Sequence, residues 1–228
     1  PAIRSCDAPV GSGKTTAVMA HLLRVAAERD PPLRHIFVVL PFTNIISQAV
    51  DVYRQALVLD GENADEVVAE HHHRADFENV ELRQLATLWR APVIVTTAVQ
   101  FFETLGSNHP SRLRKLHELP GSAVFVDETH ATMPSHLWPQ MWRWIETWTR
   151  DWCGHMVLAS GSLPRFWELE EYQTLIREKS NCNIVVPDLI DEDARKEFNQ
   201  PEKERVRYVR RIDTTGNPEN ALNCDDLI

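Results

Sequence analysis

Short apolar runs alternate along this chain with longer stretches in which apolar residues return every third or fourth position. The runs at His35–Leu40, Val93–Thr97, Ala123–Val126 and Met156–Ala159 are apolar at nearly every position, so each predicts a strand buried on both faces. Between them the spacing predicts helices over Lys14–Glu28, Asn44–Leu59, Val80–Trp89 and His136–Trp152. Strands separated by helices build βαβ units and a parallel α/β sheet covered on both sides. Beyond Pro187 the pattern changes: Asp188–Glu204 is dominated by charge, and Arg205–Ile212 alternates like one further strand. The expected division is a lobe over residues 1–187 and an acidic segment over 188–228 that forms a lobe edge or interlobe linker. Both ends are expected to be cuts through a longer protein, since only Pro1–Asp7 precede the first motif.

A chain of 228 residues with 43% hydrophobic content suffices for one sizeable core. The net charge of −9 argues against gripping nucleic acid by a bulk positive field and favours contact through a few placed groups. The acidic excess lies away from the first motif: residues 1–60 carry six basic and five acidic side chains, residues 188–228 seven and eleven. Cys6, Cys153, Cys182 and Cys224 are widely spaced, with no CxxC pair, so reduced thiols are expected in place of a zinc site or disulfide framework. The sequence contains no apolar run near the ~18 residues that span a bilayer and no signal-peptide pattern. A cytoplasmic protein without a membrane partner is expected.

Ala8-Pro9-Val10-Gly11-Ser12-Gly13-Lys14-Thr15 follows a short possible strand and opens a helix, the context of a phosphate-binding loop. Such glycines let backbone N–H groups close around phosphate oxygens, and the helix terminus adds partial positive charge. Pro9, Val10, Gly11, Ser12, Gly13, Lys14, Thr15 and Thr16 are therefore the candidate ATP contacts, with Lys14 on the β and γ phosphates and the Thr15 hydroxyl on Mg²⁺. The general motif begins with glycine where this chain has Ala8. The run Ala123-Val124-Phe125-Val126 ends in Asp127-Glu128, and a buried strand delivers such a pair to the carboxyl edge of a parallel sheet. Downstream of a phosphate loop, Asp127 is expected to hold Mg²⁺, and Glu128 to position and deprotonate the attacking water.

Asp127-Glu128-Thr129-His130 has the DExH form of superfamily-2 helicases, and lesser motifs follow in their order. Leu40-Pro41-Phe42-Thr43-Asn44-Ile45-Ile46-Ser47-Gln48 resembles motif Ia, Val95-Thr96-Thr97-Ala98-Val99-Gln100-Phe101-Phe102-Glu103 resembles a motif Ib or Ic region, and Ser160-Gly161-Ser162-Leu163-Pro164 stands at motif III. Over Ala8–Pro164 the chain resembles the first RecA-like lobe of these motors. Its wording is most similar to the CRISPR-associated helicase-nuclease of type I systems. The resemblance implies an ATP-dependent single-stranded DNA translocase or helicase that works with a second RecA-like lobe of the same parent, beside a nuclease domain and a CRISPR effector complex. It implies strand contacts by Pro41, Phe42, Thr43, Thr96, Thr97 and Gln100, through groups that bind phosphate without reading sequence, and coupling by His130, Ser160 and Ser162. Motif III is usually Ser-Ala-Thr, so Ser160-Gly161-Ser162 departs from the pattern. The histidine and aspartate set of the family's nuclease is absent from the sequence, and no nuclease activity is expected of this chain. Other readings are a P-loop ATPase that remodels protein complexes without nucleic acid, a DExH helicase outside CRISPR, and an inactive docking lobe.

Three further features carry plainer expectations. His71-His72-His73 on an extended segment point to alternate faces and do not converge on one ion, so a strand end near the nucleic-acid face is expected. Trp138, Trp142, Trp148 and Trp152 recur at helical spacing and read as core or partner packing. Thr96-Thr97 taken alone reads as a strand end capping the next helix, and Arg112, Arg114 and Lys115 as a solvated helix face.

Overall fold

Six strands, β1 (Ile3–Asp7), β2 (Ile36–Leu40), β3 (Val68–His71), β4 (Val93–Thr97), β5 (Ala123–Val126) and β6 (His155–Ser160), form one sheet in the order β1-β6-β5-β2-β4-β3. Every neighbouring pair is parallel. The structure, a computed structural model, describes residues 2–72, 86–170, 172, 185–191 and 193–195. Among the described residues the four longer helices are α1 (Lys14–Glu28), α2 (Ile46–Leu57), α3 (Ala98–Gly106) and α4 (Trp138–Asp151).

Because strand side chains alternate in direction, each apolar run feeds two cores. Val38, Leu40, Val95, Phe125, Val157 and Ala159 pack with Val18, Met19 and Leu22 of α1 and Val50 and Tyr53 of α2. Phe37, Val39, Ile94, Val124, Val126 and Leu158 pack on the opposite face with Phe101 of α3 and Trp142, Ile145 and Trp148 of α4. The sheet is thus the middle layer, and the tryptophan stripe of α4 is core: Trp142 and Trp148 are buried, and Trp138 stacks on Phe166 at 4.7 Å. Trp148 also donates its indole N–H to the Leu119 carbonyl at 3.0 Å.

Element limits shift where proline or a tight turn intervenes. The helix expected from His136 begins at Trp138, after a 3-10 turn over Ser135–Leu137, because Pro139 fits only where its missing N–H is not needed. The helix expected from Asn44 likewise begins at Ile46 after a 3-10 turn and ends at Leu57. Most of the expected helix Val80–Trp89, and the expected strand Arg205–Ile212, lie outside the described residues. Residues 187–189 run beside the free side of β1: Ser5 N–H donates to Pro187 O, and Leu189 N–H donates to Ser5 O, at 3.0 and 2.8 Å.

Gly154 links α4 to β6, and a Cβ there would meet the Trp148 ring at 2.5 Å. Trp148 is 1% exposed and hydrogen-bonded, so the ring has nowhere to retreat. Gly154→Ala is expected to cost about 1–3 kcal/mol by overpacking, read as a lower denaturant midpoint with unchanged slope.

Candidate active site

The turn after β1 delivers Lys14 to the carboxyl edge of the sheet. Gly11 and Gly13 adopt φ of 84° and 80°, a left-handed conformation that glycine takes without Cβ strain. No side chain caps the first turn of α1, so its orphan N–H groups face outward with the positive end of the helix dipole. A Cβ on either glycine would meet nothing within 4 Å, which makes the loop an open cradle. Ser12 closes it from below, its hydroxyl donating to the Pro9 carbonyl at 2.8 Å. Pro9 and Thr15 are half-buried, whereas Val10 and Thr16 are exposed.

β5 brings the acidic pair to the same place, two strands from β1. Lys14 Nζ lies 3.9 Å from Asp127 Oδ1 and 3.7 Å from Glu128 Oε1, and the lysine side chain is only 8% exposed. Burial holds the Asp127 carboxyl above its ordinary range, against the lowering effects of the Glu128 N–H and Lys14. An ionised Asp127 in this setting calls for more positive charge than Lys14 supplies.

β6, between those two strands, carries the link. Ser160 is fully buried. Its hydroxyl donates to Glu128 Oε2 at 3.3 Å and accepts from His130 Nδ1 at 2.7 Å and from Ser162 N–H at 3.2 Å. The hydroxyl has one proton, and spending it on Glu128 requires His130 to carry its own on Nδ1. Glu128 takes φ 45°, ψ 54°, which costs a non-glycine residue about 1–2 kcal/mol. Its carbonyl accepts from Ala131 and Thr132 N–H at 2.8 and 3.0 Å, and Thr129 Oγ1 donates to Ala159 O at 3.0 Å. A Cβ on Gly161 would sit 3.6 Å from Val10, so the glycine in motif III is not imposed by space.

A family model described as DEAD/DEAH box helicase matches residues 5–167. The chain belongs to the DEAD/DEAH box helicase family. It is a helicase-type ATPase domain, and a parallel RecA-like lobe is the fold such domains share. It is 28% identical to the CRISPR-associated nuclease/helicase Cas3 of Haloferax volcanii over 93% of this chain and 25% of that protein. The chain thus spans about a quarter of that relative's length. The Hef helicase domain of Pyrococcus furiosus matches with a TM-score of 0.52 at 16% identity, over 86% of this chain and 37% of that one. The UvsW helicase of bacteriophage T4 matches with 0.50 at 12%, over 82% and 54%. At those identities the two structures speak for the fold alone.

The residues expected to touch a nucleic-acid strand do not share one environment. Phe42 is 59% exposed, and Pro41 and Thr43 are half-buried in the turn after β2. Thr97 is buried, 6% exposed, and caps α3, its oxygen accepting from Gln100 N–H at 3.2 Å. The expectation for Thr96 is corrected: it is fully buried and its hydroxyl donates to the His71 carbonyl at 2.9 Å, so it is withdrawn from any strand. His71 ends β3, while His73 lies outside the described residues. Arg112 pairs with Glu103 and Arg114 is exposed, but Lys115 is 5% exposed, against the expectation of a solvated face. A second feature not foreseen is Arg165, which reaches Asp7 at 3.4 Å and Asp188 at 3.0 Å and ties the strand before the loop to the segment after Pro187. No described helix is long and apolar enough to cross a membrane.

Proposed function

We propose that this chain is the ATP-binding lobe of a motor that moves along single-stranded DNA, serving type I CRISPR interference beside a nuclease domain and an effector complex. The observation that carries the reading is the convergence of Lys14, Asp127 and Glu128 within 4 Å at the carboxyl edge. The likeness to the Haloferax volcanii protein supports the CRISPR assignment. Residues 1–187 form the lobe in this reading, and the rest of 188–228 leads toward the second RecA-like lobe.

The residues fit a triphosphate with Mg²⁺. The uncapped amides of α1 suit phosphate oxygens, and the Thr15 hydroxyl with the Asp127 carboxylate are the hard oxygen donors that Mg²⁺ takes. The ion, when bound, neutralises charge on the β and γ oxygens. Lys14 exchanges its two carboxylates for those same oxygens. Glu128 orients a water and takes its proton as the water oxygen bonds to the γ phosphorus. The bond from that phosphorus to the bridging oxygen breaks, leaving ADP and phosphate. Ser160 fixes the Glu128 carboxylate by donating to one oxygen, and His130 and Ser162 hold Ser160, so the four groups form one coupled unit. Pro41, Phe42, Thr43 and Gln100 face the strand, and the buried Thr97 holds the Gln100 backbone from behind. An arginine from the second lobe is worth about 10³- to 10⁵-fold in rate, so the lobe by itself hydrolyses ATP slowly.

The test is steady-state ATP hydrolysis by the two-lobed protein with and without single-stranded DNA. Turnover is expected to rise several-fold with DNA. A flat response would turn the assignment toward an ATPase that remodels protein complexes.

A further inference from the structure

Lys115 is buried with no carboxylate within ion-pair distance among the described residues, Glu103 acting on it only at longer range, and no step above uses it. Its ammonium lies 3.2 Å from Gln100 Oε1, 3.4 Å from His71 Nε2 and 4.3 Å from the centre of the Trp89 ring. An ammonium only donates, so it dictates how its neighbours are arranged. His71 must present a lone pair at Nε2 and carry its proton on Nδ1, where Thr96 Oγ1 accepts it at 3.2 Å while donating to the His71 carbonyl. Burial keeps that imidazole neutral, pushing it down to about 3, and pushes Lys115 down to about 8. Trp89, the third support, is fully buried with φ 60°. A bulky residue holds that strained conformation only where its surroundings over-determine it, here with Phe37 and Phe101 rings 5.0 and 6.3 Å away.

The consequence falls on Gln100. Its amide oxygen is claimed from inside by a group that cannot accept, so its two N–H donors turn the other way, and the residue is half-buried in the first turn of α3. From this geometry we infer that Lys115 is a positioning residue: it locks the Gln100 amide with its donors outward, toward the phosphodiester backbone of a bound strand. The inference rests on the strand-binding reading above and deepens it. A polarised amide backed by a cation that no carboxylate contacts attracts phosphate without a surface lysine, which suits a chain of net charge −9. The Thr97 cap of α3 fixes the backbone of the same residue.

The test uses the two-lobed protein and fluorescence anisotropy with labelled oligo-dT. Lys115→Met and Gln100→Ala are each expected to weaken binding about tenfold. The double variant should lose no more than either single one, because both remove the same donor. Gln100→Glu separates positioning from folding: a carboxylate pairs with Lys115 and raises the melting temperature, yet it has no donor to offer and repels phosphate, so DNA affinity falls. Should Lys115→Met fail to fold, Gln100→Glu carries the test alone. Additive losses in the double variant, or a Gln100→Glu protein that binds DNA as wild type does, overturn the inference. A wild-type protein that does not bind oligo-dT would instead remove the strand-binding reading on which it rests.

Discussion

Replacing Glu128 with glutamine is expected to lower ATP turnover of the two-lobed protein by about 10²- to 10⁴-fold, the usual worth of a positioned general base. The amide keeps the size of the carboxylate but has no basic lone pair for the proton of water. Nucleotide affinity should hold or improve, because Lys14 loses one of its two carboxylate partners and is freer to meet phosphate. The Ser160 hydroxyl can still donate to the amide oxygen, so the link to His130 survives and the backbone of residue 128 stays in place. A single-turnover assay with pre-bound ATP separates the two effects. Turnover within a few-fold of wild type would remove Glu128 from its assigned role.

Lys14→Ala acts on binding. A lysine that meets two phosphate oxygens makes charge-assisted hydrogen bonds worth about 1.5 kcal/mol or more each, so ATP affinity should fall roughly 100-fold by calorimetry. The loss also has a pH signature in the nucleotide-free protein. Burial raises the Asp127 carboxyl and Lys14 is among the influences that lower it, so removing Lys14 raises it further. A carboxyl raised in the folded state costs no stability below its unfolded pKa; the cost grows as pH rises from there and is complete above the folded pKa. The variant should therefore differ least from wild type in acid, and its deficit should widen as pH climbs through the carboxylate range toward neutrality. A deficit independent of pH would mean that Lys14 does not feel Asp127.

Much of this could be read from residues alone, and the exceptions have physical reasons. β4 and β5 fall on the expected limits: the apolar run of β5 is bounded by Ser122 and Asp127, and the β-branched run of β4 starts after Pro92 and ends where Thr97 caps the next helix. The meeting of Lys14 with Asp127 and Glu128 was legible because both motifs end strands of a parallel sheet, which gathers such ends along one edge. Thr96 and Thr97 are both buried: Thr97 caps the next helix as the residues alone suggest, while Thr96 is spent on the His71 carbonyl, a partner that only the folded sheet brings beside it. Lys115 was not legible. Arg-Leu-Arg-Lys reads as a solvated face, and only the folded chain brings Trp89, His71 and Gln100 around one of its cations. The role of Ser160 as the joint between Glu128 and His130 likewise depends on β6 lying between β1 and β5, an order the sequence does not spell out.

That strand order also sets a timetable for birth of the site. Among the six strands β1 pairs with β6, Ile3 opposite Met156 and Asp7 opposite Ser160, and its other neighbour, residues 187–189, comes later still. A ribosome adding about 5 to 20 residues per second needs roughly 8 to 30 s to cover that interval. Until then the phosphate loop hangs from an unpaired ribbon, and the machinery for handling ATP is among the last things the nascent lobe acquires.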